Sequence, residues 1–183
     1  PNNIKHSIII LIISLALLTA YTSRAQVYSA SRGAISNDSL PNFYPLTISG
    51  IASVIDSNFG VYGVIVNISH PYDGDLNIFL IAPDNTAIEL STKNGGSGNN
   101  YVNCIFTNTA SNKIVNANPP FTGSFKPEGS LGVVNMGQNP NGAWKLLIVD
   151  SKRSADAGTP HNWRLIFSSN TAKLVHFTGP NLP

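Results

Sequence analysis

The stretch that most constrains this chain is residues 61–83, VYGVIVNISHPYDGDLNIFLIAP. Val61, Val64, Ile65, Val66 and Ile68 supply one apolar run, and Leu76, Ile78, Phe79, Leu80 and Ile81 supply a second. Both are rich in β-branched and aromatic residues and are bounded by turn formers. That pattern predicts two core strands of a sandwich joined by a tight polar corner. The corner, His70-Pro71-Tyr72-Asp73-Gly74-Asp75, sets carboxylates on either side of a glycine at a strand entrance. Such a corner is either an ion site or a well-capped turn.

The rest of the pattern is also that of short strands. A first strand is expected at 46–50. A returning strand at 86–90 follows the Pro83-Asp84-Asn85 turn. Residues 101–106 and 113–115 read as further short strands, and 118–125 as a proline-bearing loop leading into a strand edge. In 144–150, alternation puts Trp144, Leu146 and Ile148 on one face; in 163–167 it does the same for Trp163, Leu165 and Phe167. Between these two runs, 151–162 reads as an irregular loop. Eight or so strands separated by turns, with no helical period beyond residue 25, predict an all-β antiparallel sandwich. With 183 residues the chain is sized for one such domain with a real core.

The flanking segments read differently. In residues 1–25, Lys5 precedes an apolar run, and Ser23-Arg24-Ala25 follows it with small residues at the −3 and −1 positions. This is the pattern of a secretory signal peptide cleaved after Ala25, and the run is short for a span of about 20 apolar residues. The protein is therefore expected to be secreted or displayed at the cell surface, with no membrane segment after cleavage; an uncleaved anchor is the alternative. Residues 26–41 read as a polar lead-in, 42–169 as the domain, and 170–183 as a linker or the start of a further segment.

Charge narrows the function classes. Charged residues make up 11% of the chain, the look of an extracellular β-protein rather than of a helical enzyme. Removing Lys5 and Arg24 from the 11 basic residues leaves as many as the 9 acidic ones. The remaining basic pair, Lys152-Arg153, sits in a loop, so nucleic-acid binding has no support. Cys104 is the single cysteine, so no intrachain disulfide forms; it reads as a buried strand residue.

Hydrolytic chemistry lacks a recognisable constellation. The glycine-rich loop 94–100 carries no P-loop lysine, and Asn99 stands where a G-x-S-x-G elbow needs its last glycine. His70 reads as a hydrogen-bonded structural residue, and His161 and His176 as loop and tail residues. Calcium fits better as a cofactor: it takes six to eight oxygens, and Asp73, Asp75, Asp150 and Asp156 offer carboxylates around two neighbouring loops. The competing reading is that these aspartates accept backbone N–H bonds at turns. Glu128 reads as a loop-closing residue. Trp144 and Trp163 read as core rather than as a sugar platform, and Asn37 and Asn67 begin glycosylation patterns.

Several motifs in series carry a resemblance: His70-Pro-Tyr-Asp-Gly-Asp-Leu76, Leu80-Ile-Ala-Pro83, Asn94-Gly-Gly-Ser-Gly98, Pro120-Phe-Thr-Gly-Ser-Phe125, Asn141-Gly-Ala-Trp-Lys-Leu146 and Asn162-Trp-Arg-Leu-Ile-Phe167. Over about 42–169 the chain resembles the P domain, or P/Homo B domain, of kexin- and furin-type subtilisin-like proprotein convertases. The resemblance implies a jelly-roll β-sandwich like galactose-binding domains. It also implies a non-catalytic module that stabilises or positions a protease or another covalently linked or partner protein. The acidic positions named above resemble calcium-site residues of bacterial P domains. This chain departs from similar sequences at Asn99 and at Thr107-Asn108, where they often carry acids. The protease's own Asp, His and Ser motifs are absent, and the lead-in is too short to hold a catalytic domain. The chain is thus expected not to be an enzyme by itself. A stand-alone carbohydrate- or surface-binding module, and a fragment of a longer secreted enzyme, are the other readings.

Overall fold

The structure is a computed structural model that describes residues 25–30, 33–56, 59–152 and 157–169. The signal-peptide run, Asp156, His176 and the segment from 170 onward lie outside the described residues. The strands are β1 (Gln26–Ala30), β2 (Asn42–Ile48), β3 (Gly60–Ser69), β4 (Leu76–Ile81), β5 (Ala87–Thr92), β6 (Tyr101–Phe106), β7 (Phe121–Phe125), β8 (Gly142–Asp150) and β9 (Thr159–Ser168). Helical structure among the described residues is limited to 3-10 turns at Asp73–Asp75, Ile114–Asn116 and Leu131–Val134. No helix among them is long and apolar enough to cross a membrane.

The strands form two sheets, β1-β9-β3-β6-β7 and β2-β8-β4-β5. Without β7, the remaining eight pair as a folded ribbon: β1 with β9, β2 with β8, β3 with β6 and β4 with β5, all antiparallel. That winding is the jelly roll. Period-2 alternation drives it. Trp144, Leu146 and Ile148 of β8 point inward, as do Leu76, Ile78 and Leu80 of β4 and Trp163, Leu165 and Phe167 of β9. They meet in one continuous core, where Trp144 crosses between the sheets to pack edge-on against Phe167 at 5.9 Å. Each such side chain contributes about 1.5–3 kcal/mol by leaving water. Pro45 lies in β2, an edge strand, where its missing N–H costs no ladder bond.

Four expectations differ from what is found. The lead-in contains β1, which pairs with β9 along its whole length; its five mostly exposed residues are too few to show a period. The sandwich is not wholly antiparallel, because β7 lies parallel to β6. In β7 two buried phenylalanines flank exposed Thr122, Gly123 and Ser124, so the alternation is broken around Gly123, whose φ is +96°. Residues 113–115 give a single bridge at Lys113 and then a 3-10 turn in place of a strand. His161, expected in a loop, is a residue of β9.

The outer faces of the two sheets differ. On β2-β8-β4-β5, the register sets Phe43, Leu147, Phe79 and Glu89 in one row and Pro45, Lys145, Ile81 and Ala87 in the next. Around Asn67 on the other sheet the face is polar. Asn67 Nδ2 donates to Oδ1 of Asn103 (3.2 Å) and of Asn162 (3.0 Å), and Ser69 Oγ lies 2.8 Å from His161 Nε2.

Candidate functional site

The polar corner between β3 and β4 is where the candidate residues gather. β3 ends at Ser69, two residues ahead of Pro71, and Asp73–Asp75 forms one 3-10 turn closed by Asp75 N–H donating to Tyr72 O at 3.1 Å. The turn packs backbone to backbone on the 94–100 loop. Asp73 N–H donates to Gly98 O (2.8 Å), and Gly74 N–H to Gly96 O (3.0 Å). Glycine is required at 74, because a Cβ there would lie 2.7 Å from the Gly96 carbonyl oxygen.

Asn100 is the hub, and nothing in the sequence reading singled out its role. Its N–H donates to Asp73 Oδ1 (2.9 Å), its Oδ1 accepts from His70 N–H (3.1 Å), and its carbonyl accepts from Phe121 N–H (2.9 Å). Its φ of +76° is a conformation asparagine tolerates better than most residues. A strandless Asn after a glycine-rich loop was the available signal.

Each aspartate of the corner is placed differently. Asp150, at the end of β8, is fully buried; it accepts from His70 Nε2 (3.3 Å) and from Lys152 N–H (3.1 Å). His70 Nδ1 lies 2.9 Å from Tyr72 O and 3.2 Å from Tyr72 N, so the ring bridges Asp150 to the Tyr72 backbone. Asp75 is nearly buried, and its carboxylate pairs with Lys152 Nζ at 3.2 Å. Its carbonyl accepts from both Ser151 N–H and Ser151 Oγ–H. Asp73 is fully buried too, yet its Oδ2 has no hydrogen-bond partner. Burial pushes its carboxyl up to about 7, against the opposing pull of the Asn100 N–H.

These positions bear on calcium unequally. An orphaned buried carboxylate oxygen is the kind of acceptor a hard cation takes, so Asp73 fits as a ligand. Asp75 and Asp150 are committed to Lys152 and His70, and among the described residues no group of three or more His, Cys, Asp or Glu side chains converges as a metal cluster. Thr107 and Asn108, the other positions of interest, make protein hydrogen bonds: Thr107 to Thr109, and Asn108 to Ser130 and Leu131. Glu128 closes its loop by accepting from Thr92 N–H and Asn94 Nδ2, each at 2.6 Å.

The state of Asp73 gives a pH prediction. The folded chain keeps a proton that an unfolded carboxyl releases near pH 3.9, so Asp73's stabilisation is complete below about pH 4 and is lost as pH rises towards 7. In chelator, urea unfolding is expected to weaken by about 1–3 kcal/mol between pH 5 and 8. Asp73→Asn should remove that slope; an unchanged slope would place the titration elsewhere.

The remaining candidates are quickly placed. Cys104 is buried on β6, and burial pushes its thiol well above the ordinary range, which leaves it unionised at neutral pH. Trp144 and Trp163 are each 1% exposed, so neither offers a face for a sugar ring to stack on.

The sequence profile of the proprotein convertase P-domain matches residues 61–167. Leupeptin-inactivating enzyme 1 of Streptomyces exfoliatus is 29% identical over 123 residues, covering 67% of this chain and 21% of that protein. Among solved structures, the Aeromonas sobria serine protease in complex with a chaperone aligns with a TM-score of 0.48 at 16% identity, over 85% of this chain and 29% of that one. The same protease without the chaperone aligns with a TM-score of 0.45 at 16% identity, with the same coverage. The chain thus spans about a fifth of the length of the curated Streptomyces relative.

Proposed function

Because the chain belongs to the proprotein convertase P-domain family, we propose that it is a non-catalytic accessory module of an exported protease. The family match over residues 61–167 carries the reading. The signal-peptide pattern of residues 1–25 supports export. The corner supports the same role: its buried polar groups bond mainly to one another and to backbone, as structural groups do. The module would fold as a unit and stabilise or position a protease domain, in the same chain or a partner. A sugar-binding role is not favoured, with both tryptophans inside.

Ser69 and His161 make the serine–histidine contact through which hydrolysis would have to be argued, and it lies exposed on a sheet face. The purified chain is expected to cleave no fluorogenic peptide substrate. Turnover that persists through purification and disappears in Ser69→Ala would overturn the non-catalytic reading.

Calcium belongs to this proposal as the cofactor for which Asp73 has a free oxygen. Bound there, it would supply the positive charge that lets Asp73 ionise inside the fold; Asp73 itself already holds the turn to Asn100. At pH 8, calcium at about 100 times its Kd is expected to add about 2.7 kcal/mol of stability relative to EDTA. Asp73→Asn should abolish the gain. An identical Tm with calcium and with EDTA would remove calcium from the reading.

A further inference from the structure

A sheet face that meets water alternates apolar-in with polar-out. The outer face of β2-β8-β4-β5 breaks that rule. Phe43, Leu147 and Phe79 stand side by side on three strands, with Ile81 and Pro45 in the next row, and Phe43 is 54% exposed. In these two rows the charged residues are Lys145, whose Nζ lies 5.9 Å from the centre of the Phe43 ring, and Glu89, opposite Phe79. Next to Phe43 and Pro45 a concavity of about 520 Å³, also lined by Gly33, Pro41 and Tyr44, is large enough to take a side chain from a partner.

Size and charge together choose the occupant. Four strands about 4.8 Å apart and two side-chain rows about 6.8 Å apart give a face of roughly 260 Å². That is about a third of the ~800 Å² per partner found in stable free complexes, which disfavours a dimer of this chain. It suits a neighbour held nearby by a tether, whose effective concentration is in the millimolar range. We propose that this face docks a protease domain through an apolar flank bearing an acid opposite Lys145 and a base opposite Glu89. The inference rests on the accessory reading above and adds the surface that carries it out.

The test is photo-crosslinking in the native host, with benzoylphenylalanine placed at Phe43 or, as the opposite-face control, at the exposed Val102 of β6. Adducts from position 43 are expected to map to a protease domain, at least tenfold above those from position 102. Lys145→Glu should lower their yield severalfold without shifting the melting temperature. Protease adducts from 102 and not from 43 would overturn the docking face and leave the accessory role standing. Adducts from 43 to a second copy of this chain would make the face a dimer interface and overturn the proposal. An absence of protease adducts at both positions would sink the accessory reading itself.

Discussion

Trp144→Ala is expected to destabilise the domain by about 3–5 kcal/mol, a large share of the ~5–15 kcal/mol such a domain has, and to lower its Tm by roughly 10–15 °C. The indole is 1% exposed, bridges the two sheets against Phe167, and donates from Nε1 to Pro140 O at 2.8 Å. Comparing the tryptophans separates the two contributions. Trp144→Phe keeps most of the apolar contact but strands the Pro140 carbonyl, at a cost of about 1–3 kcal/mol. The Nε1 of Trp163 is buried and has no partner, so Trp163→Phe removes a polar group that is already unsatisfied. It should cost less than Trp144→Phe, within about 1 kcal/mol of wild type. Urea unfolding of the three variants decides this; a costlier Trp163→Phe would mean that ring volume, not the hydrogen bond, sets the order.

The second large effect is expected at Asp150, where alanine should cost about 2–4 kcal/mol. The substitution leaves the buried His70 Nε2–H and the Lys152 N–H without their acceptor. Because His70 also anchors the Tyr72 backbone, the loss extends to the turn holding Asp73. A double-mutant cycle of Asp150→Ala with His70→Ala should show a coupling of at least about 0.5 kcal/mol. Simple additivity would mean that the 3.3 Å contact contributes nothing of its own.

Most of the sandwich is legible from alternation, because a residue's face follows from its immediate neighbours. Trp144, Leu146, Ile148, Trp163, Leu165 and Phe167 all point into the core as their spacing predicts. The parts that were not legible depend on partners far along the chain. β1 owes its existence to β9, and β7 is aligned by β6 across an interruption at Gly123. The corner divides in the same way. Its carboxylates and glycine could be read locally, but His70 meets Asp150 from 80 positions away and Asn100 reaches Asp73 from 27. Local spacing left the choice between an ion site and a capped turn open. The fold gives Asp75 and Asp150 protein partners and leaves one oxygen of Asp73 without any.

The pairing of β1 with β9 has a consequence for how such a module can travel between proteins. Gln26 sits across the ladder from Phe167, so entry to and exit from the fold lie about 5 Å apart at one rim. A host loop could open there, admit the whole sandwich and close again with almost no gap to bridge. The same doorway would let a unit of this kind hang from either end of a larger chain or sit in its middle, without disturbing its own ladders.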